Sequence, residues 1–539
     1  MFKKNNDHLQ RKMFTVIDQL PESALKRLKN SWAHYFYTDF FCKLDENIFS
    51  VIYSDKKSRP NTPVNILIGF ETLKSGFGWS DEELYNHFLF DLQVRYALGL
   101  HDFDEAYFDL RTIYHFRRAL CDYEREHNVN LIQIATERIT DAQIEKFKLK
   151  TGIQRMDSTQ IQSNIQKMSR IQLLVEIIHR LHRILNPKDQ KDNEGFFAPY
   201  IKENALHFCY RLKRDEASSV LEQLGGDLAF LITEFESGYS IFKEFKDLVQ
   251  VFTEHYRFEE DTIIIKTGKE LQSGTLQSPD DNEATFRRKN GETAKGYVAN
   301  ITETCDPENE LQLITKVSVN PNNVDDQILM ADDLEGLSER TGIKEILTDA
   351  GYIGTKANDA IEKHGLTHSV TAIKGRKKNE NKLGLRNFNF TLNNENIIET
   401  IECPNGIIGK VKYGKQGRYS AGFDSESCFR CPLKEKCIVK KLKKKDLCIL
   451  RFTDDNIRVA LQWKQFKANI EALNMRASVE STVRSVIHPF GGHLCKMPVR
   501  GKLRIKTMTI LSATMVNIRR ITEYLSPENE DEGLKLAFN

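Results

Sequence analysis

The chain has 539 residues, and its 78 Lys and Arg against 76 Asp and Glu leave a formal net charge of +2, so bulk charge neither demands nor forbids a polyanionic partner. With 40% hydrophobic and 29% charged residues the composition is that of globular proteins, which excludes collagen-like, coiled-coil-only and largely unfolded chains and allows several domains or one large domain with insertions. No apolar run approaches the length of a membrane span, the first residues lack the apolar centre of a signal peptide, and ten cysteines are too sparse for a disulfide framework, so a cytoplasmic protein without a membrane partner is expected.

Residues 1–125 carry apolar residues at helical spacing, with breaks near Arg59-Pro60 and at Lys74-Ser75-Gly76-Phe77-Gly78. Ser80-Asp81-Glu82-Glu83 has the form of a capping box, in which each side chain satisfies a free amide of the first turn, and predicts a helix from Asp81. From Glu105 to Cys121, Arg111, His115 and Arg118 recur on one helical face, which is either a DNA contact or a solvated surface. A charged stretch at 126–150 is expected to be a linker. Beyond it, Gly152 to Ile161, Gly296 to Thr302 with Leu311 to Val319, Lys344 to Asp349 and Thr367 to Ile373 read as strands. Helices are expected at Val324 to Arg340 and Lys356 to His364, and in a long block from about 165 to 256. The class is mixed α/β.

Three carboxylates sit where charge is costly or where ligands gather. Asp157 interrupts the first strand and Asp349 ends the run Ile346-Leu347-Thr348, positions that suit ligands at the carboxyl ends of strands, although a turn or cap role explains each as well. Glu480 lies in a helix read from about Asn456 to Val486, seven residues from both Leu473 and Ile487, and is expected on the core-facing stripe. There a divalent cation or ion pairs with Arg476 and Arg484 would compensate its charge.

Met156-Asp157-Ser158-Thr159, Leu347-Thr348-Asp349-Ala350-Gly351-Tyr352 and Arg476-x-x-x-Glu480 resemble the three acidic motifs of bacterial insertion-sequence transposases of the DDE type. Gly69 to Leu120 resembles their InsH-type N-terminal domain, and Lys295-Gly296-Tyr297 and His488-Pro489-Phe490-Gly491-Gly492 resemble further elements of the family. The resemblance covers most of the chain. It implies an RNase H-like catalytic core at 151–539 in which Asp157, Asp349 and Glu480 hold Mg²⁺ or Mn²⁺. Such a two-metal site hydrolyses a strand at an element end and joins the freed 3′ hydroxyl to target DNA. Leu473 and Ile487 stand where many relatives carry Tyr and Lys, which leaves Arg484, His488 or Lys496 to grip the strand. The resemblance also implies double-stranded DNA as partner, both terminal inverted repeats and target, and a homodimer that pairs two ends.

Between the last strand and the Glu480 helix, about 375–452, Cys403, Cys428, Cys431 and Cys437 could ligate Zn²⁺ or remain reduced thiols. This insertion and its flanks are basic, including Lys377 and Lys378 at its start and Lys496, Arg500 and Lys506 after the Glu480 helix, which concentrates positive charge where a DNA backbone would lie. The rival readings are a zinc-containing DNA-binding protein without catalysis and a metal-dependent nuclease that cuts without joining.

Overall fold

The computed structural model describes residues 1–525 apart from 11–13, 55, 57–58, 103–106, 214, 261, 290, 372–381, 393–397, 415–416, 443–445, 454–455, 458, 461–462 and 464–471. Lys377, Lys378, most of the helix expected before Ala472 and the acidic tail lie outside the described residues. The protein is mixed α/β. Its strands in chain order are β1 (Ile153–Gln162), β2 (Tyr256–Glu259), β3 (Thr262–Ile265), β4 (Thr285–Lys289), β5 (Glu292–Thr304), β6 (Ile314–Pro321), β7 (Glu345–Thr348), β8 (Thr367–Val370), β9 (Asn389–Leu392), β10 (Ile398–Glu402), β11 (Ile408–Gly414), β12 (Arg418–Asp424), β13 (Lys440–Lys441) and β14 (Leu447–Thr453). No helix among the described residues is long and apolar enough to cross a membrane. The chain divides into two compact units, one of Met1–Lys150, Asp157–Asp325 and Glu480–Asn539, the other of Thr151–Met156 and Asp326–Val479.

In the first unit the helix at Val64–Phe77 continues through Lys74, Ser75 and Gly76 and stops at Gly78, the last residue of the break expected at 74–78. It ends only where Gly78 takes a left-handed conformation at φ +73°, because the apolar face from Val64 to Gly76 is buried along its length and packing outweighs the weak helix preference of Ser75 and Gly76. The Asp81–Phe90 helix starts as expected: the Glu83 N–H donates to Ser80 Oγ at 3.1 Å, and the Ser80 N–H donates to Glu83 Oε2 at 2.7 Å. Residues 126–150 are not a bare linker. They contain the Leu131–Lys146 helix, with Leu131, Ile132, Ala135 and Ile139 buried, because those apolar residues recur at helical spacing among the charges.

The N-terminal helices, expected to form a domain of their own, share one hydrophobic core with Ile301 of β5, Ile314 and Val317 of β6, Val483 and Val486, and the C-terminal helix. That last helix, Lys502–Leu525, is buried on every side from Met508 to Ile518, as expected of a helix passing through a core. Its Asn517 side chain accepts from the Ile314 N–H at 2.8 Å and donates to the Ile314 carbonyl at 2.9 Å, which satisfies the start of β6. Gly76 permits its close approach, since a Cβ there would stand 2.3 Å from Met515 Cγ.

Strand β5 pairs antiparallel with β4 on one side and β6 on the other. Ser163, just past β1, donates its N–H to the Lys295 carbonyl of β5 at 3.1 Å. Gly296 is obligatory at that crossing, because its φ is +154° and a Cβ would lie 2.4 Å from the Ile161 carbonyl oxygen. The helical block runs from Arg170–Ile184 to Lys243–His255 and closes its own core around Leu174, Ile178, Leu228 and Leu248.

In the second unit the first residues of β1 pair in parallel with β7, Ile153 with Glu345 and Arg155 with Leu347, and β7 pairs in parallel with β8. The Asp326–Thr341 and Thr355–Lys363 helices supply the cover of these strands, with Met330, Leu334 and Ala357 clustered on Met156 and Ile346. The cysteine-bearing segment forms a separate antiparallel sheet in the order β13-β14-β12-β11-β10-β9, whose core includes Phe388, Ile401, Phe423 and Cys448.

Candidate active site

Asp157 lies on β1, half-buried, and its Oδ1 accepts from the Ser158 N–H at 2.8 Å. Asp349 follows the last residue of β7. Its Oδ1 accepts the Gly351 N–H at 2.6 Å and so caps the short turn Ala350–Tyr352, an anchored carboxylate of the kind a site requires. Beneath it, the Thr348 hydroxyl meets His368 Nε2 at 2.8 Å. Burial lowers the His368 pKa to about 4, so the imidazole stays neutral near neutral pH.

Sequence reasoning passed over Asp326. This residue opens the Asp326–Thr341 helix and is buried. A Cβ on Gly351 would stand 2.7 Å from Asp326 Oδ2 and 2.8 Å from Asp349 Oδ1, so the bare backbone of Gly351 fits between two carboxylates. The only signal was an Asp pair at the start of an expected helix.

Glu480 departs from expectation. It is exposed, and the buried stripe of the Ala472–Ile487 helix is made by Val479, Thr482, Val483 and Val486. Ile487 misled the reading because it is the helix's last residue and packs against Ile161 and Tyr297, where the chain turns into His488–Phe490. Arg484 and His488 follow Glu480 at steps of four and are also exposed, which gives a polar face carrying one carboxylate and two basic groups. Arg476 is half-buried and Lys496 is exposed.

That helix is held by a carboxylate the sequence did not single out. Glu303, fully buried near the end of β5, accepts from the Thr482 hydroxyl and from Arg520 Nη1 at 2.7 Å, while Arg520 Nη2 also donates to Thr482 Oγ1. A lone Glu in the apolar strand Tyr297–Thr304 was the available sign.

Arg111, His115 and Arg118 are all exposed on the Leu110–His127 helix. Their neighbour Arg117 turns inward, to Glu71 at 2.7 Å and Asp81 at 2.6 Å. Of the basic run after the Glu480 helix, Arg500 is paired with Asp280 at 3.1 Å and Lys506 with Glu124 at 3.3 Å, so these two charges are spent within the fold.

Among the cysteines, burial and then the adjacent Cys448, Cys437 and Cys403 push the Cys428 thiol up to about 12. Cys448, buried in the core of this sheet, thus neighbours Cys428 together with the expected ligands Cys403 and Cys437. Among the described residues no three His, Cys, Asp or Glu side chains stand close enough together to hold a metal ion. The donor chemistry nonetheless fits: carboxylate oxygens suit hard divalent cations and thiolates suit zinc.

Residues 402–522 match the family model described as a transposase DDE domain, so this part of the chain is similar to the DDE domain of transposases. The matched segment contains Glu480 and most of the C-terminal helix; Asp157 and Asp349 precede it. No curated protein matches the chain.

Proposed function

We propose that this protein is the transposase of an insertion sequence, which binds the terminal inverted repeats of its element, hydrolyses a phosphodiester at each end and joins the freed 3′ hydroxyl to target DNA. The observation that carries the reading is the transposase match across Glu480, taken with the register of β1 on β7. Arg155 pairs with Leu347, and Asp157 and Asp349 each lie two residues further along. Side chains two residues apart on a strand share a face, so this register supports the two acids as partners in one RNase H-like core with Glu480 as the third.

In this reading Asp157, Asp349 and Glu480 hold Mg²⁺ or Mn²⁺, which when bound activates the attacking oxygen and stabilises the leaving one. The chain's own groups do the rest. The Gly351 N–H fixes the Asp349 carboxylate, and Glu303 and Thr482 fix the helix that presents Glu480. Arg476, Arg484, His488 and Lys496 hold the DNA backbone, with Arg111, His115 and Arg118 as an end-binding face to which Lys377 and Lys378 add charge. Cys403, Cys428, Cys431 and Cys437 are assigned to a structural zinc, with Cys448 as the rival for the place of Cys431. Two protomers pair two ends.

The test uses labelled duplex taken from the DNA bordering the protein's own reading frame, with Mg²⁺. Cleavage plus products longer than the input strand is expected. Asp157→Ala, Asp349→Ala and Glu480→Ala should each abolish both while end binding persists. Cleavage without longer products would make the protein a nuclease, and binding that neither cuts nor responds to Asp349→Ala would make it a non-catalytic DNA-binding protein.

A further inference from the structure

A second site lies within the first unit, in a cavity of about 590 Å³ walled by the β4–β5 hairpin, the 268–277 loop and Asn323. Pairing of Phe286 with Lys295 and of Arg288 with Thr293 sets Phe286, Arg288 and Lys295 on one face of the hairpin, because directly opposed residues project to the same side and residues two apart share it. The Lys295 ammonium is half-buried and donates to the Met168 carbonyl at 3.2 Å. Burial, and then the charge of Lys167, lower its pKa. One ammonium group, Lys295, and two guanidinium groups, Arg287 and Arg288, thus line a recess to which Asp325 brings a carboxylate, and an anion entering there would relieve the repulsion among the cations. Gln272 and Thr275 also line the cavity, and their amide and hydroxyl groups are of a kind able both to donate and to accept. The volume falls in the range that takes one small organic ligand and is too small for a duplex.

We propose that this cavity binds a single unpaired nucleotide of a DNA strand, with its phosphate on Lys295 and Arg288 and its base against the Phe286 ring. The assignment rests on DNA being the partner of this transposase. A base stacked on an aromatic ring needs no particular sequence, so the site would hold a strand end or an unpaired position beside a cut.

The test measures binding of the full-length protein to a short fluorescent oligothymidylate and, separately, to a blunt duplex. Phe286→Ala should weaken oligothymidylate binding about tenfold and leave duplex binding within about twofold. Arg288→Gln, at an exposed position that the fold tolerates, should lower the slope of log affinity against log salt for the oligothymidylate by about 0.7. Unchanged oligothymidylate affinity in folded Arg288→Gln protein, or equal losses for single strand and duplex, would overturn the proposal. Loss of oligothymidylate binding in Phe286→Ala from a wild-type protein that cuts no DNA would keep the pocket and overturn the transposase reading instead.

Discussion

Thr482 Oγ1 lies 2.9 and 2.8 Å from the two carboxylate oxygens of Glu303, and the same carboxylate takes Arg520 Nη1 at 2.7 Å. One buried anion therefore ties a strand, the helix bearing Glu480 and the last helix of the chain. Removing it leaves Arg520 facing a hydroxyl and a void. Glu303→Ala should cost about 2–4 kcal/mol, toward the low end of what breaking a buried pair costs because Arg520 is partly solvated, as read from urea unfolding. Glu303→Gln, which still accepts from Thr482, should lose less, and equal losses would mean that the charge on Glu303 carries the whole effect and the hydrogen bond from Thr482 adds nothing.

Gly351 offers a test of the Asp349 turn that leaves every carboxylate in place. A methyl group there meets Asp326 Oδ2 at 2.7 Å and Asp349 Oδ1 at 2.8 Å, closer than carbon and oxygen approach. Gly351→Ala should lower Mg²⁺-dependent cleavage by about tenfold or more, as displacement of a positioned group by about an ångström does, with far-UV circular dichroism unchanged. Wild-type cleavage by the variant would show that Asp349 needs no fixed position.

The Glu71–Lys74–Asp81–Arg117 cluster predicts a pH dependence. Burial alone would raise the Asp81 carboxyl, but Arg117 and then Lys74 overcome it and hold the pKa at about 2, below the ordinary 3.8. A group depressed on folding stabilises the protein fully above its unfolded value, and that stability disappears as pH falls from about 3.8 through about 2. Asp81→Asn should cost about 1–3 kcal/mol at neutral pH, the range for a buried partner left unsatisfied. It should also flatten the acid limb of the stability curve in that window; an unchanged limb would remove Asp81 from the titration.

Zinc at the cysteine sheet is checked by metal content. Cys428→Ser should lower bound zinc in the purified protein from about one equivalent to near none and reduce thermal stability, since metal binding is coupled to folding in such sites. Comparing Cys431→Ser with Cys448→Ser identifies the fourth ligand. Metal content unaffected by Cys428→Ser would leave the cysteines as reduced, packed thiols.

Much of the architecture was legible because its signals are local. The capping box at Ser80, the strand pair at 296–302 and 311–319, and the short apolar runs that became β7 and β8 each carry their own periodicity. What failed depends on distant parts of the chain. Ser75 and Gly76 look like a break until Met515 is seen to require a residue without a side chain, and the charges of 126–150 hide a helix whose burial comes from tertiary neighbours. At the site, Asp157 and Asp349 were readable as acids at strand positions. Glu480 was assigned to the wrong helix face on the evidence of a terminal isoleucine. Glu303 and Asp326 went unnoticed because a single acid among 76 acquires meaning only from what surrounds it.

The sharing of one core by the N-terminal helices and Lys502–Leu525 has a consequence for synthesis. During translation the N-terminal helices emerge with their apolar faces complete except for the helix they pack against, and that helix, Lys502–Leu525, follows only after the whole intervening chain. These faces then stay open until the Lys502–Leu525 helix has emerged, which makes contact formation slow and exposes the nascent chain to aggregation. A message cut short before residue 502 would yield a product unable to close the core around its N-terminal helices. Premature termination therefore produces an unstable fragment with that core left open.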